Sequence, residues 1–289
     1  MEQGPHYATT VRERQRAEWA AVAPGWQRNR ERMSGPMSHI TGRMVARGGI
    51  ETGHRVLDLA CGVGDPAFAV AEAVGPEGYV LGLDLSEEMV EAARSWARQL
   101  GTENVEFRTV ESELELGVPA GSFDVATCRL GLQFMPDPMA ALQEVREALK
   151  PGGRVVASTW GRPERNPNFS LPMEVISRHA TLPEEDPGAP GLFALPTPED
   201  LEVLLNTAGF ANVESSAFDT PVARAKSPET FWHGVSTIAG PLVSLLASLT
   251  EEQRRAIRED AAETLGAMFP EGPVELDGEA VVAVGTKTV

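Results

Sequence analysis

The sequence predicts an α/β protein built on a Rossmann-like, doubly wound and mostly parallel sheet of seven strands. Between residues 48 and 160, short apolar runs alternate with helical patterns, and this alternation is typical of a parallel sheet covered by helices. A glycine-rich loop follows the first apolar run. Because right-handed crossovers bring the carboxyl ends of parallel strands to one edge, we expect the ligand site at that edge.

Five strands and three helices account for residues 48–160. The strands are predicted at "HRVLDLA", "GYVLGLDL", "VEFRTV", "SFDVATCRL" and "GRVVASTW", and the helices at "DPAFAVAEAV", "EEMVEAARSWARQL" and "PMAALQEVREALK". Pro66 suits the first turn of its helix, and Ser86 suits the N-cap of the next one. The "PGG" that begins at Pro151 is expected to end the third helix.

A helical segment precedes this core. The charged helical pattern over residues 10–47 includes an apolar stripe with Trp19 and Trp26. Residues 1–47 are therefore predicted to form an N-terminal helical lid. The "GPMS" at positions 35–38 is expected to interrupt the helix, because glycine and proline are its strongest breakers.

Two insertions are predicted around the sixth strand. That strand, "ANVESSAFDTPV", and the last strand, "GEAVVAVGTK", complete the sheet within residues 197–226 and 273–289. The insertions, 161–196 and 227–272, contain short helical patterns among proline-rich stretches. Neither insertion has the size or pattern of an independent domain, so the sequence predicts one domain.

The composition disfavours several classes of function. The 289 residues carry a net charge of −17, which disfavours nucleic-acid binding because phosphates require clustered Lys and Arg. The two cysteines, Cys61 and Cys128, are too few for a disulfide framework or a zinc site, and no metal is expected. Without a signal core or a membrane span, a cytoplasmic location is expected. The oligomeric state stays open, and a homo-oligomer is one alternative.

The loop within "VLDLACGVGDPA", residues 56–67, indicates the cofactor. Gly62 and Gly64 have the spacing of a dinucleotide fingerprint. A pyrophosphate at the start of the following helix would be repelled by Asp58 and Asp65, whereas the sulfonium and ammonium groups of S-adenosylmethionine (SAM) would be attracted. The local charges therefore favour SAM, and NAD is the weaker alternative.

Four segments in order resemble the class I SAM-dependent methyltransferases, in particular the ubiquinone/menaquinone-biosynthesis C-methyltransferase-like group of small-molecule enzymes. They are "VLDLACGVGD", "LGLDLSEEMVEAAR", "GSFDVATCRLGLQFMPDPMAALQEVREALKPGGRVVAST" and "GEAVVAVGTK". The resemblance is good over residues 18–160, and "GLFALPTPEDLEVLLNTAGFANV" resembles the helix and strand that follow in that group. It implies a SAM-binding core at 48–160, with the two insertions on the side of a small acceptor.

The resemblance also implies which residues contact SAM. The methionine part would lie against Asp58, Ala60, Gly62 and Gly64, and the ribose hydroxyls would bind Asp84. The other implied contacts are Leu85 and Met89 at the adenine, Glu111 and Ser112 at its edge, Arg129 and Leu130 beside the methyl group, and Gln133 near the acceptor. Glu111 replaces the aspartate more usual there. Trp26 either closes over the cofactor or pins the lid helix to the core.

Other candidate residues have two interpretations each. Three histidines are candidate general bases, because histidine titrates near neutral pH, or else are incidental: His39, His179 and His233. Arg129 either faces the cofactor or pairs with a structural carboxylate. Four apolar residues either line an acceptor pocket or form insertion core: Phe193, Phe231, Trp232 and Met268.

The sequence thus predicts SAM-dependent methyl transfer to a small, apolar or aromatic acceptor, with C- or O-methylation favoured over N-methylation. The alternative is a SAM-binding protein that transfers no methyl group, in which the cofactor is sensed or only shapes the pocket. A dinucleotide oxidoreductase is a weaker third hypothesis, because it requires Asp65 to turn away from the helix end.

Overall fold

The computed structural model describes residues 5–182, 188–270 and 272–288. Seven strands form one sheet in the order β3-β2-β1-β4-β5-β7-β6, in which β7 is antiparallel to both of its neighbours. The strands are β1 (Arg55–Leu59), β2 (Tyr79–Asp84), β3 (Val105–Thr109), β4 (Phe123–Arg129), β5 (Leu149–Trp160), β6 (Ala211–Ala225) and β7 (Val274–Thr286). The predicted Rossmann-like, mostly parallel seven-stranded sheet is confirmed.

The helices lie where the strand order requires crossovers, with additional ones around β6. They are α1 (Pro5–Gly48), α2 (Asp65–Val74), α3 (Glu87–Leu100), α4 (Pro138–Ala148), α5 (Pro167–Ser177), α6 (Pro198–Thr207), α7 (Pro228–Ile238), α8 (Gly240–Ser248) and α9 (Glu251–Met268). The hydroxyl of Ser86 accepts a hydrogen bond from the Met89 N–H, which makes it the predicted N-cap of α3.

Alternation along the strands gives the sheet two buried faces. Leu57 and Leu81 belong to a cluster that includes residues of α4 and α6, whereas Val56 and Val80 belong to a cluster with residues of α1, α2 and α3. Successive side chains of a strand point to opposite faces, so runs that are apolar at every position are buried on both sides. Helix packing on both faces leaves the strand ends as the place for a ligand.

The insertion helices α7, α8 and α9 have a core of their own. Phe231, Leu242, Ile257 and Leu265 pack together with residues from α5 and from the adjoining ends of β6 and β7. This cluster fixes α7 and α8 beside the carboxyl edge of the sheet. None of the helices in the described segments combines the length and apolarity that a membrane crossing needs.

The predicted interruption of the N-terminal helix is wrong. Helix α1 runs from Pro5 to Gly48 and includes positions 35–38. Met37, inside the supposed break, is 2% exposed, and Ile40 and Met44 are buried in the same cluster against the sheet. The local preference of Gly and Pro was overridden because tertiary packing holds the turns that follow them in one helix.

Candidate active site

A cavity of about 270 Å³ lies at the carboxyl edge of the sheet. Its walls come from α1, from the loops after β1 to β4, from the end of β5 and the start of α5, and from β6, α7 and α8. These elements are far apart in the chain and meet because the parallel strands end together. The predicted position of the ligand site therefore coincides with this cavity.

The loop after β1 approaches the cavity through its backbone. Ala60 and Gly62 have φ angles of 57° and 54°, and both residues line the cavity. Leu130, at the end of β4, has φ 58° and lines it as well. A non-glycine residue in this left-handed region is uncommon and costs on the order of 1 kcal/mol. Two such residues at neighbouring strand ends, both against one cavity, indicate that the loops are shaped for a ligand.

Gly64 has a packing role that the fingerprint does not reveal. A Cβ atom there would lie 2.6 Å from Cε2 of Phe68 and 2.9 Å from Cζ of Phe107. Its φ is +89°, and it precedes α2. Gly64 therefore lets α2 pack closely on the sheet, and it is not among the residues that line the cavity.

Asp84 is held by the backbone at the end of β2. Its Oδ2 accepts the Gly62 N–H at 2.8 Å and its Oδ1 accepts the Ser86 N–H at 3.0 Å. Burial raises the pKa of Asp84, against the effect of these hydrogen bonds. The residue lines the cavity, and each carboxylate oxygen has a further lone pair for a ligand hydroxyl.

Asp65, the first residue of α2, is paired with Arg129. The Arg129 Nη1 donates to Asp65 Oδ2 at 2.9 Å and to Thr41 Oγ1 of α1 at 2.9 Å. The Asp65 side chain is 15% exposed and the Arg129 side chain is 6% exposed. Both residues line the cavity. Arg129 therefore takes part in a structural ion pair and also forms part of the cavity wall.

Asp58 lies inside the protein next to the site. It is fully buried and does not line the cavity. The Thr127 hydroxyl donates to its Oδ1 at 2.6 Å, whereas its Oδ2 accepts no hydrogen bond from the described residues. Burial raises the pKa of Asp58 to about 7, and the hydrogen bond from Thr127 and the charge of Arg129 limit that rise.

Two side-chain interactions, an ion pair and a hydrogen bond, hold helix α1 over the cavity. Arg12 makes two parallel bonds of 2.7 Å to Glu113, after β3, and both side chains are buried. Trp26 lines the cavity and donates from its Nε1 to the Ile238 carbonyl of α7 at 2.9 Å. Both interpretations of Trp26 thus have structural support, because the residue faces the cavity and also joins two helices.

The structure brings nine of the predicted cofactor residues to the cavity. They are Trp26, Ala60, Gly62, Asp84, Leu85, Met89, Ser112, Arg129 and Leu130. Asp58, Gly64, Glu111 and Gln133 are not among the lining residues. The Glu111 side chain is 96% exposed and pairs with Arg16. The Gln133 amide is buried, donating to the Leu192 carbonyl and accepting from the Trp160 N–H.

The three candidate histidines are not brought to the cavity. His39 on α1 and His233 on α7 are exposed. His179, after α5, lies 2.7 Å from Asp260 of α9 through its Nε2. None of the three lines the cavity. None of these three histidines is therefore placed to act as a general base at the cavity.

The part of the cavity beside β5, α5 and α7 is apolar and aromatic. Trp160, Phe169, Val222, Phe231 and Ile238 line it. Of the four predicted insertion residues, Phe231 is therefore at the cavity. Phe193 packs on the ring of Phe169 with centroids 5.9 Å apart, Trp232 packs in the insertion core, and Met268 is 48% exposed.

The two cysteines are buried free thiols. Burial raises the pKa of Cys128 to about 12 and raises that of Cys61 well above its ordinary value. Thiols that stay protonated are poor nucleophiles. Packing in the protein interior accounts for both thiols.

Comparison with known proteins places the chain in a family. Residues 50–185 match the model of a methyltransferase domain. A demethylmenaquinone methyltransferase of Staphylococcus aureus is 32% identical over 190 residues, which are 63% of this chain and 78% of that protein. The chain belongs to the class I SAM-dependent methyltransferases of the ubiquinone/menaquinone-biosynthesis type. This membership confirms the predicted cofactor, SAM, and the predicted enzyme class.

A second relative and a solved structure are also similar to this methyltransferase. A demethylmenaquinone methyltransferase of Lactococcus lactis is 42% identical over 121 residues, 42% of this chain, and the match spans about half, 48%, of that relative's length. The YcgJ protein from Bacillus subtilis has a solved structure with a TM-score of 0.56 at 24% identity, covering 87% of this chain and 99% of that one. The latter likeness shows that the fold is shared.

The residues of the methyltransferase cavity fit SAM. Asp84 presents a carboxylate to the cavity, and no described lysine or arginine forms an ion pair with it. The two other carboxylates that line the cavity, Asp65 and Glu113, are paired with Arg129 and Arg12, respectively. The half that holds Gly62 and Asp84 is thus suited to a diol and a cation, because its unpaired charge is negative.

Sequence reasoning missed several lining residues of the methyltransferase. They include Gln15 and Trp19 on α1, Trp160 at the end of β5, Asn168 and Phe169 on α5, and Val222 on β6. The strand-end rule, applied to β5, could have found Trp160 and the start of α5. Gln15 and Val222 carry no local signal, because only the packing of distant elements brings them to the cavity.

Proposed function

We propose that this methyltransferase moves the methyl group of SAM to a carbon or oxygen atom of a small aromatic acceptor of the quinone-precursor class. One observation carries the proposal: a single cavity includes both the Gly62–Asp84 region and the aromatic chamber around Phe169 and Phe231. Two substrates bound in one cavity can be aligned for direct transfer. The similarity to demethylmenaquinone methyltransferases supports the quinone-type acceptor.

In this proposal the cofactor lies across the ends of β1, β2 and β4. Asp84 accepts both ribose hydroxyls, Leu85 and Met89 pack on the adenine, and Ser112 lies at the adenine edge. Ala60, Gly62, Arg129 and Leu130 surround the methionine part and the methyl group. Asp58 acts on the sulfonium and ammonium from inside the protein. The exposed side chain of Glu111 then has no contact with the cofactor.

The chemistry asks little of the protein beyond alignment and exclusion of water. SAM, when bound, supplies a methyl group that its sulfonium has already activated. The lining carboxylates are engaged, since Asp65 and Glu113 are ion-paired and Asp84 holds two backbone N–H groups. An electron-rich acceptor, whose own ring oxygen activates the carbon or oxygen to be methylated, fits a cavity of this kind.

We also propose a small-molecule acceptor rather than a nucleic acid, and action in the cytoplasm. The net charge of −17 supports the first point, because a phosphate backbone would be repelled. The division of the chain follows the same proposal: 1–47 as the lid, 48–160 as the SAM-binding core, and 161–196 with 227–272 as the acceptor side.

Turnover of SAM with a panel of acceptors tests the proposal. Purified protein is incubated with SAM and phenols, naphthols, reduced quinones or amines, and S-adenosylhomocysteine is quantified by mass spectrometry. We expect sustained production with the hydroxylated aromatic compounds. Tight SAM binding with no S-adenosylhomocysteine from any of them contradicts methyl transfer and favours a SAM-binding protein.

A further inference from the structure

We propose that Asn168 binds a hydroxyl group of the acceptor and thereby selects hydroxylated aromatic rings. The proposal rests on the proposed function. Asn168 lies in the first turn of α5, is 5% exposed and lines the cavity. Its Oδ1 is buried and has no hydrogen-bond partner among the described residues. A buried amide oxygen without a partner is costly, and a rotation of the Asn168 side chain would bring this oxygen to the cavity, where a ligand hydroxyl supplies the missing partner.

The neighbouring Asn166 shows that Asn168 is not needed to hold this turn. The Asn166 Nδ2 donates to the carbonyls of Arg162 and Glu279 at 3.0 Å each, and its Oδ1 accepts the Glu279 N–H at 3.2 Å. The two bonds to Glu279 hold the start of α5 against β7, and the bond to Arg162 closes the turn before α5. Asn168 is thereby held in place while its Oδ1 stays without a partner.

The position of Asn168 is on the acceptor side. Helix α5 follows β5, whereas the ribose-binding Asp84 ends β2, and β1 and β4 lie between these two strands in the sheet. With neighbouring strands about 4.8 Å apart, the ends of β2 and β5 are separated by roughly 14 Å. The aromatic rings of Trp160 and Phe169, 5.3 Å apart in an edge-on arrangement, line the same part of the cavity.

The chemistry of the amide defines the ligand group. A carbonyl oxygen only accepts hydrogen bonds, so its partner must be a donor such as a ring hydroxyl. The amide does not titrate near neutral pH, so it orients the hydroxyl and removes no proton from it. A site built around one hydrogen bond discriminates strongly against an analogue that lacks the donor. Asn168 is in this account a specificity-determining residue.

Calorimetric binding of two matched rings tests the assignment. Wild-type protein, with S-adenosylhomocysteine present, is titrated with 1-naphthol and with 1-fluoronaphthalene, which lacks the hydroxyl proton. We expect 1-naphthol to bind at least roughly ten-fold more tightly. Asn168→Leu should reduce this preference to about three-fold or less, and Asn168→Asp, which keeps an oxygen, should retain it. If Asn168→Leu fails to fold, Asn168→Ala replaces it, and we expect the same reduced preference for 1-naphthol.

Thr220→Val is the matched control. Thr220 also has a buried oxygen without a hydrogen-bond partner among the described residues, but it does not line the cavity. Its replacement should leave the naphthol preference unchanged. A structural role for Asn168 would lower the melting temperature of Asn168→Leu without changing the preference, which overturns the assignment. Equal affinity of both rings for the wild type, or no binding of 1-naphthol, also overturns it. Hydroxyl-dependent binding without any methyl transfer contradicts the proposed function alone.

Discussion

The guanidinium of Arg129, at the end of β4, donates to the carboxylate of Asp65, the first residue of α2, over 2.9 Å. Both side chains are mostly buried and both residues line the cavity. The negative charge of Asp65 is therefore balanced within the protein. The charge argument that favours SAM over a pyrophosphate thus rests on Asp84 at the cavity, and Asp58, whose pKa is about 7, adds to it only when it is ionised.

Removing the Asp65 charge from this pair should weaken the binding of SAM more than that of S-adenosylhomocysteine. Asp65→Asn leaves the Arg129 charge unbalanced beside the cavity, and a cationic ligand is then repelled by about 1 kcal/mol, or roughly five-fold in affinity. S-adenosylhomocysteine lacks the sulfonium charge and should lose less. Calorimetric titration of both ligands measures the difference. Arg129→Met, the opposite change, should shift the SAM preference the other way; shifts of equal sign contradict the account.

Loss of the Asp84 carboxylate should weaken SAM binding by about 1.5–3 kcal/mol, the range for removing a charged hydrogen-bond partner. Asp84→Ala is the variant, and the dissociation constant for SAM is the measurement. Because Asp84 also binds the Gly62 and Ser86 N–H groups, the melting temperature is followed in parallel. Asp84→Asn keeps one oxygen and should lose less affinity. Unchanged affinity in Asp84→Ala would place the ribose elsewhere.

Asp58 should make the stability of the protein pH-dependent. Its pKa rises from 3.8 to about 7 on folding, so between these values the folded chain holds a proton that the unfolded chain has released. The free energy of unfolding therefore falls as pH increases through this window, by on the order of 4 kcal/mol at most. In urea denaturation at several pH values, the free energy of unfolding of Asp58→Asn should increase relative to that of the wild type from about pH 4 to 7. A stability difference independent of pH refutes this assignment.

The bidentate pair of Arg12 and Glu113 should hold the lid helix closed. Arg12→Met leaves a buried carboxylate unpaired, and we expect SAM to dissociate roughly three- to ten-fold faster, with faster amide exchange near the start of α1. Stopped-flow displacement and hydrogen–deuterium exchange measure these changes. Arg14→Met is the control, because Arg14 is 55% exposed and lies 3.9 Å from Glu18. Identical SAM dissociation rates in the two variants would contradict a role of the Arg12–Glu113 pair in holding α1 over the cavity.

The sheet was predictable because its signals are local. Apolar runs, the Ser86 cap and the glycine turns each act within a few residues. Together they indicate where β1 to β5 and the helices between them lie along the chain. The residues at the ends of those strands, such as Asp84 and Leu130, followed from topology and the resemblance. The continuity of α1 was not predictable in this way, since it depends on Met37 and Ile40 packing against a sheet formed much later in the chain.

The cavity walls formed by β6, α5 and α7 illustrate the same limit. Val222 lies on β6 and Ile238 lies at the end of α7, and nothing in their sequence neighbours indicates a cavity wall. The lack of a hydrogen-bond partner for the Asn168 Oδ1 among the described residues depends on the three-dimensional structure. The residues next to Asn168 in the sequence do not indicate it. Conversely, the candidate histidines satisfied a chemical criterion, but the fold places His39 and His233 at the surface.

Transfer of a labelled methyl group tests the central claim most directly. The protein is incubated with SAM carrying a deuterated methyl group and a reduced naphthoquinone, and the acceptor is analysed by mass spectrometry with Asp84→Ala as the low-affinity control. We predict an acceptor product that carries the intact deuterated methyl group, together with an equimolar amount of S-adenosylhomocysteine, and a much lower yield from the variant. Saturating SAM binding without labelled product from this acceptor or from the naphthols and phenols would contradict the account.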